Sequence, residues 1–146
     1  MSIFETSTLG VSAVSAESSV GKAVSTRSNI FEMTQLAESA VLRPLEYGMF
    51  PHEVRAALAY RIAISAGETR LAEYYAASVG DKFNLSDYIM IEGEPESTLF
   101  PFVDKAANDT KNIVAEDISK LQAVGVSDAD IVRLCELIAF VAYQLR

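Results

Sequence analysis

The chain has 146 residues and a mass of 15.9 kDa; half of its residues are apolar and 22% are charged. This size and composition are typical of one folded domain with a hydrophobic core, and they exclude a wholly disordered chain. Twelve basic against twenty acidic residues give a net charge of −8, which argues against nucleic acid or an anionic membrane as the main partner.

The single cysteine and the single histidine exclude several kinds of site. One cysteine permits no intramolecular disulfide, no C-x-x-C redox pair and no cysteine-rich metal site, and one histidine permits no histidine cluster. We therefore expect neither a metal nor a cofactor. The first residues lack the basic and apolar regions of a secretory signal, and the apolar run 134–145 is too short to span a bilayer, which needs about 20 residues. The sequence thus predicts a cytoplasmic protein.

Residues 1–28 are rich in serine, threonine, valine, alanine and glycine, without clear periodicity. Such a composition predicts a flexible or loosely docked N-terminal arm, followed by a helical domain over 29–146. The valines of the arm leave open the alternative that it packs on a partner subunit.

Helical periodicity begins at Asn29, and Pro44 is expected to end or interrupt this first helix. Pro51 suits the first turn of a second helix, which Gly67 would end because glycine readily adopts the left-handed conformation. A third helix follows over about 68–79, ended by Gly80, so that the second and third helices form a tight hairpin. The expected buried faces of the three are Ile30, Met33, Leu36 and Ala37; Val54, Ala57, Leu58, Arg61, Ile62 and Ser65; and Leu71, Ala72, Tyr75, Ala76 and Val79.

The secondary structure predicted for residues 81–146 is less regular. Residues 81–96 fit a short helix opened by Ser86, with a brief strand over 88–91 as the alternative, before a loop at Gly93 and Pro95. Ser97 is then expected to cap a helix reaching about Asn112, and a further helix covers 113–124, ended by Gly125. Ser127 and Asp130 resemble a capping box at the start of a final helix over 128–145.

The final helix is apolar on nearly every side. Its main face is expected to be Ile131, Leu134, Cys135, Ile138, Val141, Ala142 and Leu145, and most of the rest is covered by Val132, Ala139, Phe140 and Tyr143. A helix of this kind must be buried on several sides, and a small monomer has too few other helices to cover it. We therefore expect a homo-oligomer built through this helix. Glu136 is expected to pair with Arg133, or with Arg61 or Arg146 across an interface.

Two segments resemble a known family. Residues 52–67, HEVRAALAYRIAISAG, with 71–75, LAEYY, resemble the helical hairpin of the carboxymuconolactone decarboxylase and alkylhydroperoxidase-D-like superfamily. Residues 117–146 resemble its other half, in which a Gly-x-Ser-Asp turn leads into a long helix with an Ile-Ala-Phe stretch and a final arginine. The resemblance implies an all-α, alkylhydroperoxidase D-like bundle of about six helices, and its members are helical oligomers.

The chain departs from the active peroxidases of this family, which carry C-x-x-C-x-x-x-H after the first hairpin helix and a glutamate one helix earlier. At the matching positions stand Glu68, Leu71, Tyr75 and, for the glutamate, Ala56. A thiolate must attack the peroxide and a second thiol must resolve the sulfenic acid. The resemblance therefore implies the fold without the thiol mechanism. Cys135, on an apolar face, is expected to be a buried, inert thiol.

Three residues near the hairpin are the candidate catalytic groups: Glu68 as a general base, with Tyr75 and Arg61 orienting an oxygen-bearing ligand. The alternative is structural: Glu68 at a helix start, Arg70 and Glu73 in exposed pairs, and the tyrosines in the core with a polar tip. His52 is expected to be an exposed residue of a helix start.

Two functions follow. The first is a divergent enzyme or binding protein of this family, without thiol peroxidase activity, that takes a small oxygenated ligand near Gly67. The second is a non-enzymatic oligomeric binding or scaffold protein that retains only the fold. Convergence of Glu68, Tyr75 and Arg61 on one pocket would favour an enzyme, and separation of these side chains would favour the second function.

Overall fold

The structure is a computed structural model, and it describes residues 1–79 and 97–146. These residues form eight α-helices and two short 3-10 turns, with no strand among them, so the predicted all-α class is confirmed. The number exceeds the six or so that were predicted, because the N-terminal segment contributes two. The elements predicted over 81–96 and the helix end predicted at Gly80 lie outside the described residues. The helices are α1 (Ser7–Ser12), α2 (Ser19–Ser25), α3 (Ser28–Leu42), α4 (His52–Ser65), α5 (Thr69–Ala76), α6 (Leu99–Asn108), α7 (Ala115–Ala123) and α8 (Asp128–Leu145).

Helix α4 is the centre of the core. Six consecutive residues, 54 to 59, are buried on it, so every side of its first half is covered. Small side chains such as Ala59, Ala63 and Ala72 allow α4 and α5 to approach closely. Helices α6 and α8 pack on the other sides of α4. Leu58 and Ile62 are buried as predicted, whereas Ser65, on the same predicted face, is exposed.

The N-terminal segment, predicted to be a flexible or loosely docked arm, contains regular structure that its composition did not indicate. It contains a 3-10 turn (Ile3–Glu5), α1 and α2, and α1 packs on α3 and α5. Leu9 is buried, and the backbone N–H of Ser7 donates to Gln35 Oε1 at 2.8 Å. Both helices have seven residues or fewer, which is too short for an apolar period to be recognised in the sequence.

The buried face of α3 is the opposite of the face that the sequence predicted to be buried. Its apolar residues Ile30, Met33 and Leu36 are exposed, while its buried positions are Thr34, Glu38 and Leu42. Periodicity identifies an apolar face, but which face packs depends on the partners that the other face finds. Here the polar face packs because its hydrogen bonds are made internally: the hydroxyl oxygens of Thr34 and Tyr143 lie 3.2 Å apart.

The helix predicted from Ser97 to Asn112 is interrupted. Helix α6 begins at Leu99, and a 3-10 turn (Thr110–Asn112) follows its end. Helix α7 then starts where the Asp117 carboxylate accepts the Val114 N–H at 2.9 Å and pairs with Lys105 Nζ at 2.6 Å. Gly125 has a φ of +93°, in agreement with its predicted role after α7.

The start of α8 confirms half of the predicted capping box. Ser127 Oγ accepts the Asp130 N–H at 3.2 Å, but the Asp130 carboxylate accepts instead from the Met49 N–H and from Arg133, both at 3.0 Å. Cys135, predicted on the buried face, is exposed, and Leu137 is buried in addition to the predicted residues. Glu136 is exposed, since Arg133 pairs with Asp130 rather than with Glu136.

Candidate functional site

The turn between α4 and α5 is shaped by Gly67, which has a φ of +79°. The Gly67 N–H donates to the Ile64 carbonyl and the Glu68 N–H to the Ala63 carbonyl, each at 3.0 Å. These two hydrogen bonds together form a Schellman motif. Glycine suits the left-handed position of this motif because it has no Cβ. Glu68 then occupies the N-cap position of α5, so the first turn of α5 begins beside this carboxylate.

Arg61, Tyr75 and Glu68 do not converge. Arg61 Nε and Nη2 donate to the two carboxylate oxygens of Asp104, each at 2.7 Å, and its guanidinium lies 4.5 Å from the centre of the Phe100 ring. Arg61 is therefore directed toward α6. Tyr75 is buried and donates to Gln144 Oε1, whereas Glu68 is exposed.

The environment of Tyr75 also disfavours proton transfer. Burial raises the pKa of Tyr75 far above its ordinary value, and the carboxylate of Glu38 raises it further. A hydroxyl in this condition stays protonated at neutral pH. It donates its hydrogen bond to Gln144, and its raised pKa makes it a poor proton donor.

A pocket of about 300 Å³ lies at the start of α5, and we call it the hairpin pocket. Helices α1, α5 and α8 form its walls. Its polar side chains are those of Thr8, Ser12, Glu68, Arg70 and Gln144. Among residues 1–79 and 97–146, Thr8 Oγ1 finds no hydrogen-bond partner, and the atom itself is closed off from solvent. The polar groups that the pocket offers to a ligand are therefore those of its exposed lining, above all Glu68 and Arg70.

A buried network around Glu38 lies behind this pocket, and sequence reasoning missed it. Glu38 is fully buried in α3. Its carboxylate accepts from the hydroxyls of Ser7 and Tyr74, the latter at 2.5 Å, and from Gln144 Nε2 at 3.1 Å; Arg43 Nη2 lies 3.5 Å away. We call these residues the Glu38 network. It joins α1, α3, α5 and α8.

The pKa of Tyr74, the tyrosine of this network, is shifted strongly upward. Burial and the hydrogen bond to Glu38 raise the pKa of Tyr74 to about 12. Its proton therefore stays on the hydroxyl at neutral pH, where it holds the buried carboxylate. The only sequence signal for the network was a glutamate placed four residues after Thr34 on α3, and the apolar side of that helix was taken as the buried one.

A buried arginine orders the segment that leads into α4. Arg55 donates through its guanidinium to the carbonyl oxygens of Phe50 and Val41, each at 2.7 Å, and of Tyr47, at 3.0 Å. Burial lowers the pKa of Arg55 below its ordinary value, and Arg133 adds to this effect. Its partners are backbone carbonyls, which makes its role structural.

The remaining reactive side chains are not assembled into a site. Partial burial, together with the carboxylate of Glu136, raises the pKa of Cys135, which disfavours the thiolate. His52 is exposed as expected, with its Nε2 2.8 Å from the Pro44 carbonyl oxygen, so an N–H there donates to it. Among residues 1–79 and 97–146, no group of three or more histidine, cysteine or acidic side chains is arranged to hold a metal ion.

No protein-family model, no curated protein and no solved structure matches this chain. The superfamily named from the two sequence segments thus stays a prediction. Within the part of the chain that the structure describes, no helix has the length and apolarity to cross a membrane.

Proposed function

We propose that this chain is a non-enzymatic binding protein that takes a small oxygenated ligand in the hairpin pocket. The separation of Arg61, Tyr75 and Glu68 carries the proposal. An enzyme of the predicted kind needs these groups around one reacting atom, and two of them are committed elsewhere, to Asp104 and to Gln144. On this reading the chain is a divergent alkylhydroperoxidase D-like protein that has lost the thiol chemistry.

The lining of the hairpin pocket supports an oxygenated ligand. Arg70 supplies a cation, and the first backbone N–H groups of α5 have no acceptor within their helix. A carboxylate or lactone oxygen would accept hydrogen bonds from such groups. Glu68 beside them would favour a ligand that also carries a hydroxyl donor.

Titration with acetate, lactate and γ-butyrolactone, followed by amide chemical shifts in NMR spectra, tests the hairpin pocket. We expect shifts concentrated in residues 8–12 and 67–71, which line or adjoin it. Arg70→Ala should weaken carboxylate binding about tenfold, because a charge-assisted hydrogen bond is lost. Arg27→Ala removes an exposed arginine outside the pocket and should leave the affinity unchanged. Shifts confined to residues 128–142 would place the ligand elsewhere and contradict the proposal.

Peroxide reduction is expected to be absent. The chain has a single cysteine, and the environment of Cys135 disfavours the thiolate that must attack a peroxide. The assay is turnover of an organic hydroperoxide with a dithiol reductant, comparing the natural chain with Cys135→Ser. Turnover well above background that the substitution abolishes would show a single-cysteine peroxidase and overturn this prediction.

We further propose that the protein associates with itself through α8, which makes an oligomeric scaffold the second candidate function. Val132 and Tyr143 are 57% and 56% exposed on the outer side of α8. Large exposed apolar side chains that are grouped on one helix are characteristic of contact surfaces. Closed cyclic symmetry is the usual outcome of such self-association.

A further inference from the structure

Helix α3 carries polar residues inward and apolar residues outward. Thr34 and Glu38 are buried, whereas Met33 and Leu36 are 64% and 71% exposed. We call the outer row, Ile30, Met33, Leu36 and Ala37, the apolar stripe; all four are exposed. A helix of a monomer normally turns such a row toward its own core, so the exposed stripe indicates that another surface covers it.

A concave surface lies beside the apolar stripe. Helices α6, α7 and α8 form an apolar cleft of about 660 Å³, lined among others by Phe102, Ile113, Ile118, Ile138, Ala139 and Tyr143. Tyr143 also lines a smaller groove, of about 340 Å³, together with Ile30 and Met33 of the stripe. The exposed stripe and the concave cleft are therefore neighbouring parts of one face, with Tyr143 between them.

We propose that a second copy of this chain covers this face, with the apolar stripe of each copy seated in the apolar cleft of the other. A two-fold contact requires a surface that is complementary to itself, and a row of exposed apolar side chains beside an apolar cleft meets that requirement. This arrangement rests on the self-association proposed above and specifies its geometry: α8 lines the contact and α3 supplies the inserted side chains.

The charges around the stripe and the cleft are of opposite sign. Glu32 is exposed and lies one turn before Leu36, hence beside the apolar stripe. Arg146 is the one charged side chain among the described residues that line the cleft. Within residues 1–79 and 97–146, neither Glu32 nor Arg146 has an ion-pair partner. Seating the stripe in the partner's cleft brings Glu32 toward the partner's Arg146.

The net charge of the chain also supports a second copy as the molecule that covers this face. Each chain carries a formal charge of −8, so two copies associate most readily through a surface with few acidic side chains. The apolar stripe has no charged side chain, Arg146 is the one charged side chain among the described residues that line the cleft, and Glu32 and Glu136 lie beside them. An anionic lipid surface would be repelled by the rest of the chain, which favours a second copy over a membrane.

The first test is Leu36→Glu, measured by sedimentation velocity over a range of concentrations. We expect the dimer dissociation constant to rise at least about tenfold, because a charge would be placed in an apolar contact. Leu45→Glu is the matched control: Leu45 is 100% exposed and belongs to neither the stripe nor the cleft, so its variant should associate like the natural chain. Far-UV circular dichroism verifies that both variants keep their helices.

The second test exchanges the charges of Glu32 and Arg146. It tests the contact between stripe and cleft even if Leu36→Glu fails to fold. Glu32→Arg and Arg146→Glu should each weaken association several-fold, and the double variant should recover most of that loss, since the ion pair is restored with its signs reversed. Single variants without effect, or a double variant weaker than both, would overturn the arrangement.

The outcomes distinguish the insertion of the stripe into the partner's cleft from the broader proposal of self-association through α8. A natural chain that is monomeric at tens of micromolar, an ordinary range for specific association, would overturn both. A natural chain that associates and is disrupted by Val132→Glu, while Leu36→Glu behaves like Leu45→Glu, would leave self-association through α8 standing and disprove the insertion of the stripe.

Discussion

Glu38→Ala is expected to lower the free energy of unfolding by about 3 kcal/mol or more. The substitution removes the acceptor of four donors: it leaves the hydroxyls of Ser7 and Tyr74 buried without it, and it also breaks the contacts with the Gln144 amide and with Arg43. Each unsatisfied buried donor costs about 1–3 kcal/mol, and the space left by the side chain adds to that cost. Urea denaturation followed by circular dichroism measures the loss.

Two controls separate the lost acceptor from other effects. Glu38→Gln keeps the size and one carbonyl acceptor, so it should cost clearly less than Glu38→Ala. Glu73→Ala makes the same change at an exposed position of α5 and should alter the free energy of unfolding by no more than about 0.5 kcal/mol. If Glu38→Ala proved as mild as Glu73→Ala, the Glu38 network would not hold α1, α3, α5 and α8 together as described.

Val132→Glu and Ala139→Glu are each expected to convert the oligomer to monomer at tens of micromolar. Both residues are exposed on the outer side of α8, opposite the buried Leu134 and Ile138. Each substitution would put a carboxylate without a partner into an apolar contact, which should weaken association about 100-fold. Light scattering coupled to size-exclusion chromatography gives the mass, and circular dichroism should remain that of the folded chain.

Val20→Glu provides the comparison for Val132→Glu. Val20 is 54% exposed, close to the 57% of Val132, but it lies on α2 and not on the outer side of α8. Its variant should keep the mass of the natural chain. Equal loss of mass in both variants would mean that added negative charge, rather than the surface of α8, controls association.

The helical hairpin was predictable from the sequence because its signals are local. Gly67 ends α4 by adopting a positive φ, and Leu71, Ala72 and Tyr75 of the predicted α5 face are buried, whereas Ala76 of the same face is exposed. The Ser127 cap and the Gly125 turn were read in the same way. These features depend on the conformation of a few neighbouring residues, and one sequence is enough to recognise them.

The candidate site was predictable only in its position. Glu68 lines the hairpin pocket beside the Gly67 turn, where a ligand was expected. Arg61 was assigned to the same site because it lies on α4 near the turn, but its side chain reaches Asp104 of α6, 43 residues later in the chain. No local pattern shows which distant carboxylate an arginine meets.

The sequence by itself determined the helical class, the α4–α5 hairpin, the cap of α8 and the lack of a thiol pair, because composition and short-range conformational preference decide these. Only the tertiary structure decided which face of α3 is buried. The apolar stripe has the periodicity of a core face, yet the opposite face packs because Ser7, Tyr74 and Gln144 arrive from three other helices to satisfy Glu38. A buried carboxylate is tolerated only when its partners are in place, and those partners come together only in the folded chain.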